Sequence, residues 1–122
     1  MSDLASFVVD RHDDIVIGTL TGEVDLSNAT ELEGLITEAV PNSVVGVVLD
    51  LSGVTYIDSA GVRLLLSLAG RLRWRGQDLV LAAPPGSRSR RVLSMVGVGS
   101  KVMLETTSDA AALRLRASGS SA

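Results

Sequence analysis

At 122 residues the chain has room for one ordinary domain, so any function must be carried on a single core. Cysteine is absent, which excludes disulfides, thiolate metal sites and a cysteine nucleophile, and with 46% hydrophobic residues but 2% aromatics the core must be packed from Val, Leu, Ile and Ala. The net charge of −3 exerts no general pull on nucleic acid or anionic lipid.

Phe7-Val8-Val9-Asp10 and Ile15-Val16-Ile17-Gly18-Thr19-Leu20 are β-rich runs on either side of the polar stretch Arg11-His12-Asp13-Asp14, so the chain begins as a hairpin. Apolar residues then recur at Leu26, Ala29, Leu32, Leu35, Ile36, Ala39 and Val40, a helical stripe closed by Pro41-Asn42, with Ser27 or Asn28 as its cap. Val44 to Leu49 is apolar on both alternating faces, the pattern of a strand covered on both sides of a parallel sheet. The stretch Asp50 to Asp58 reads as a loop, because Ser52-Gly53 interrupts the pattern before helical spacing resumes at Val62, Leu65, Leu66, Ala69 and Leu72.

A second helix therefore starts near Ser59. Leu79-Val80-Leu81-Ala82 is a short buried-type strand, and Ala83-Pro84-Pro85-Gly86 ends it. A third helix spans about Ser87 to Val96 and stops at Gly97-Val98-Gly99; Val102 to Glu105 forms a last strand; Ser108 or Asp109 caps a fourth helix reaching about Arg116. The order predicts a single α/β domain over residues 1–116, with a mixed, mostly parallel sheet, an N-terminal hairpin and about four helices, followed by a disordered tail over 117–122.

No apolar run approaches the roughly 18 residues that span a bilayer, and the N-terminus lacks the pattern of a secretory leader, so a cytoplasmic protein is expected. Charge divides sharply along the chain: residues 1–60 hold eleven acids and one base, residues 61–122 ten bases and three acids. That division is either two solvated sets of surface charge or a charged docking face.

Ser59 stands at the mouth of the second helix. A serine hydrolase is disfavoured, because the one histidine, His12, lies in the hairpin turn and Ile57-Asp58-Ser59-Ala60-Gly61 lacks the Gly-x-Ser-x-Gly elbow. Gly97-Val98-Gly99-Ser100-Lys101 has Lys and Ser in the wrong order for a phosphate loop and precedes a strand, so no nucleotide cofactor is implied. Arg88-x-Arg90-Arg91 has no aromatic neighbours for base stacking and reads as a solvated helix face. Asp25 and Asp58 each precede a helix as cap candidates, and as both follow strands their loops should meet at one sheet edge; with no third ligand at matching spacing, no metal site is expected. Leu64 and Leu68 lie off the centre of the second helix's stripe, near Arg71 and Arg75, which makes them either an exposed contact patch or part of a helix buried against two neighbours.

Two segments, Gly22-Glu23-Val24-Asp25-Leu26 and Asp50-Leu51-Ser52-Gly53-Val54-Thr55-Tyr56-Ile57-Asp58-Ser59-Ala60-Gly61, resemble the hallmarks of the STAS-domain anti-sigma factor antagonists. Arg90-Arg91-Val92-Leu93 with Gly97-Val98 also resembles that family's third helix and turn, so the likeness covers nearly the whole chain. The resemblance implies a non-enzymatic bacterial partner switch. Ser59 matches the serine phosphorylated by a cognate anti-sigma factor that is itself a serine kinase, and Asp25 and Asp58 match the acidic positions beside it. The unphosphorylated antagonist would bind the anti-sigma factor and free the sigma factor, and a phosphatase would reset it. The alternative is a STAS scaffold subunit of a sensory or transport complex, with Ser59 serving only as part of the helix cap.

Overall fold

The computed structural model describes residues 4–120, with side chains through Ala117. In chain order the elements are β1 (Ala5–His12), β2 (Ile15–Val24), α1 (Ala29–Ala39), β3 (Gly46–Ile57), α2 (Ser59–Trp74), β4 (Asp78–Ala82), α3 (Arg88–Met95), a 3₁₀ turn (Val98–Ser100), β5 (Met103–Glu105) and α4 (Ser108–Ser120). β1 and β2 form the expected antiparallel hairpin, turned at Asp13, whose φ is +57°. β2, β3, β4 and β5 are mutually parallel, and the strand order across the sheet is the order along the chain.

Parallel strands laid down in one direction through right-handed crossovers put every connecting helix on the same face. α1, α2 and α3 accordingly share one core with β3, in which Leu49 and Leu51 meet Ile36, Leu65, Leu68, Leu72 and Leu93. α4 covers the other face, where Ala111, Ala112 and Leu115 pack on Ile15, Val48 and Val80. Val47, Val48 and Leu49 are fully buried, as a strand sandwiched between two helical layers requires. Among the described residues, no helix is long and apolar enough to cross a membrane.

Three expectations about element boundaries change. β3 runs on through the segment expected to be a loop, because β2 continues beside it as far as Val24. The Ser52-Gly53 interruption marks a bulge. Thr19 and Thr21 pair with Asp50 and Gly53, and Gly22 and Glu23 with Val54 and Tyr56, so β3 carries extra residues at both shifts. A Cβ at Gly53 would lie 2.7 Å from Thr21 Cγ2, which is the close approach that a glycine in a strand permits. Leu26 lies outside α1 and is 79% exposed, so the helical stripe begins at Ala29. α4 extends through Ser120, across much of the segment expected as a tail; Ser121 and Ala122 are outside the described residues.

The linear strand order sorts the charge division by strand, although α4 of the base-rich half packs across β2 and β3. The acid-rich half supplies β1, β2, α1 and β3, and the base-rich half supplies α2, β4, α3, β5 and α4. Their seam is crossed by the Arg71–Glu33 ion pair, 2.8 Å long, between α2 and α1.

Candidate functional site

Val24 and Ile57 are register partners at the ends of β2 and β3, so the loops that follow emerge side by side. Asp58 N–H donates to Val24 O at 3.3 Å and continues the ladder by one step. The Asp58 side chain then divides its two oxygens. Oδ1 accepts from Gly61 N–H at 3.0 Å, which caps α2, and Oδ2 accepts from Leu26 N–H at 3.2 Å in the neighbouring loop.

Asp25 does not cap α1 with its side chain. Its Oδ1 accepts from Ser27 N–H at 2.9 Å and from the Ser27 hydroxyl, forming a local turn, while its backbone oxygen accepts from Asn28 and Ala29. Asn28 occupies the N-cap position, but its buried side chain reaches back, with Nδ2 donating to Glu23 O at 2.8 Å and Oδ1 accepting from Asp25 N–H at 3.0 Å. The loop that carries Asp25 is thus held from within by Asn28 and from outside by Asp58. The two loops meet at one sheet edge, as expected.

Gly61 presses the first turn of α2 onto the strand ends. A Cβ there would lie 2.6 Å from Ile57 Cγ1 and 3.0 Å from Val24 O. Ala60 is buried beside it, whereas Ser59 is exposed, and its hydroxyl takes no protein partner among the described residues. The N–H groups at the start of a helix have no acceptor within the helix, and Asp58 satisfies only that of Gly61. A hydroxyl presented to solvent at this position lies where an added anion would meet unpaired donors.

His12 ends β1 and faces Ile15 at the start of β2, whereas Ser59 follows the end of β3, a separation of about 30 Å along a ten-residue strand. No Ser–His relay can form across that distance.

Leu64 and Leu68 are not an exposed patch. They are 3% and 0% exposed and belong to the core, because α2 is wedged between the sheet and α1 and its buried arc is wider than the stripe suggested. Arg71 is committed to Glu33, and Arg75 binds Asn42 Oδ1 and Val40 O, fastening the end of α2 to the end of α1. The surface beside Ser59 is instead a notch of about 270 Å³ between α1 and α2, edged by Leu26, Thr30 and Arg63, with Leu64 in its lining. Glu33 closes its far end, accepting from the Ser67 hydroxyl at 2.7 Å as well as from Arg71. Leu26 was hidden in the sequence because it fits the helical spacing of α1; its place one residue after an acidic turn was the available signal.

Asp50, at the opening of the second hallmark segment, ties β3 to α4. Its Oδ2 accepts from the Ser108 hydroxyl and its Oδ1 from Ser52 N–H at 2.9 Å. Burial pushes its carboxyl upward, but the hydroxyl of Ser108 and then the N–H and hydroxyl of Ser52 outweigh it and hold the group below its ordinary value.

The STAS domain family model matches residues 6–111, a span that includes both loops and all of α2. The anti-sigma-F factor antagonist RsfB of Mycobacterium tuberculosis is 29% identical over 105 residues, covering 86% of this chain and 84% of RsfB. BtrV of Bordetella bronchiseptica is 40% identical over 73 residues, 60% of this chain and 63% of its own. The crystal structure of an anti-sigma factor antagonist from Mycobacterium paratuberculosis matches with a TM-score of 0.76 and 28% identity, covering 92% of this chain and 94% of that one.

Proposed function

This chain belongs to the STAS domain family, and we propose that within it the protein is an anti-sigma factor antagonist that works by partner switching. It binds an anti-sigma factor with serine kinase activity while Ser59 is unmodified, releases it once Ser59 is phosphorylated, and is reset by a serine phosphatase. The observation that carries this reading is the exposed hydroxyl of Ser59, without a partner among the described residues, on the first residue of a helix whose cap, Asp58, is already occupied. The exposed Leu26 and the notch between α1 and α2 supply the adjoining contact surface.

The consequence of phosphorylation follows from charge. The phosphoryl group adds about −1.5 to −2 charges beside Asp58 and Asp25. Its attraction to the start of α2 contributes roughly 0.3 to 1 kcal/mol. Against this, two unit charges about 6 Å apart at an effective dielectric of about 20 repel by roughly 3 kcal/mol, and an acidic group on the partner would feel a similar term. Repulsion is the larger effect, and a loss of that size weakens binding on the order of 100-fold without any need to refold the domain.

Calorimetric titration with the cognate anti-sigma factor tests this. Ser59→Asp should bind on the order of 100-fold more weakly than the unmodified protein, and Ser59→Ala should bind normally while accepting no phosphate from the partner and ATP. Equal affinity for the unmodified protein and Ser59→Asp would remove the charge switch.

A further inference from the structure

Arg63 stands one turn along α2 from Ser59. Residues four apart on a helix share one face with their Cβ atoms about 5–6 Å apart, and helical side chains lean toward the N-terminus, so the later residue of such a pair overhangs the earlier one. Arg63 is exposed and lines the notch between α1 and α2 together with Leu26 and with Ala60, the residue next to Ser59.

The charge around it is one-sided. Residues 23–33 and 57–67, which build both loops and the walls of the notch, contain the acids Glu23, Asp25, Glu31, Glu33 and Asp58 and a single base, Arg63. Glu33 is taken by Arg71 at 2.8 Å and by the Ser67 hydroxyl, and Asp58 by the N–H groups of Gly61 and Leu26. Arg63 takes part in no ion pair, and its guanidinium in no hydrogen bond, among the described residues. An uncommitted guanidinium offers five N–H donors in a planar fork, the geometry that holds a phosphoryl group by two parallel bonds.

Resting on the reading of Ser59 as the phosphoacceptor, we infer that Arg63 is the intramolecular counter-ion of its phosphate, a positioning residue that clamps the phosphoryl group. The clamp leaves the charge gained on phosphorylation unaltered, since Arg63 is present before and after the phosphate arrives. What changes is where the cation points: phosphorylation draws the notch's one base onto the mouth of α2 and away from the contact surface. Release then has two components, an anion gained and a cation withdrawn.

The second ionisation of the phosphate reports the clamp with no anti-sigma factor present. The full chain, carrying phosphoserine installed at position 59 during translation, is titrated by phosphorus NMR. A nearby guanidinium favours the dianion, so the midpoint, about 6 for an unperturbed phosphoserine, should rise by about half a unit in Arg63→Gln, the modest effect of an exposed pair. Arg63→Lys should keep most of the lowering. Arg73→Gln removes the same charge 14 residues along α2 from Ser59 and should leave the midpoint in place. Arg63 is exposed and uncommitted, so its variants should keep the melting temperature of the unmodified protein. An unmoved midpoint in Arg63→Gln, or an equal rise in Arg73→Gln, would overturn the clamp. Equal anti-sigma affinity for Ser59→Asp would remove the charge switch and leave this titration standing, whereas a flat titration leaves that binding test standing.

Discussion

Asp58 and Leu26 are joined by a 3.2 Å hydrogen bond from a backbone N–H in one loop to a carboxylate oxygen in the next, while the other oxygen of the same carboxylate caps α2. One side chain thus fixes the start of α2, where Ser59 stands, relative to the exposed Leu26. Asp58→Ala removes both bonds and should lower stability by about 1–2 kcal/mol, read as a fall in the denaturant midpoint. A midpoint unchanged from the unmodified protein would show that the cap contributes nothing.

Two glycines of α2 should respond in opposite directions to the same change. Gly61→Ala places a Cβ 2.6 Å from Ile57 Cγ1 and should destabilise by about 1–3 kcal/mol, despite the better helix propensity of alanine. Gly70→Ala meets open space within 4 Å and should stabilise by about 0.5–1 kcal/mol. Thermal melts of the two variants check the pair, and equal shifts would contradict the tight approach at Gly61.

Leu68 and Leu26 separate the core from the proposed contact surface. Leu68→Ala empties a fully buried position and should cost about 2–5 kcal/mol of stability. Leu26→Ala, at a site 79% exposed, should change stability by no more than about 0.5 kcal/mol. It should weaken anti-sigma binding by about tenfold. Undiminished binding by Leu26→Ala would move the interface away from this edge.

The lowered carboxyl of Asp50 makes one contribution to stability depend on pH. A group depressed on folding stabilises above its unfolded value, 3.8, and that contribution disappears as pH falls through the folded value. Between about pH 6 and pH 3 the melting temperature of the unmodified protein should fall further than that of Asp50→Asn, which has no carboxylate to protonate. Parallel curves would remove Asp50 as a source of acid sensitivity.

Much of the architecture was legible because periodicity reports burial directly. The doubly apolar run Val44 to Leu49 signalled the central strand, which starts two residues later at Gly46, and the spacing of Val62, Leu65, Ala69 and Leu72 signalled a helix. The segment Asp50 to Asp58 was misread for a definite reason. A bulge and a loop look alike when Ser-Gly breaks an alternation, and the difference lies in whether a neighbouring strand continues alongside. β2 does continue, and it lies about thirty residues earlier in the chain.

The candidate site divides in the same way. That Ser59 opens a helix after an Asp cap, with no histidine near it in element order, was set by local sequence, because capping and turn chemistry act over three or four residues. Which side chains surround it was decided by tertiary structure. Helical spacing alone could not say that α1 lies against α2, so it left Leu64 and Leu68 open to either reading and grouped Leu26 with the buried stripe. Packing against a second helix widens a buried arc, and a loop turned at Asp25 expels the residue after it. Neither effect acts over the few residues that a local pattern records, so both appear only once the fold has brought β2, β3 and α1 together around Asp58.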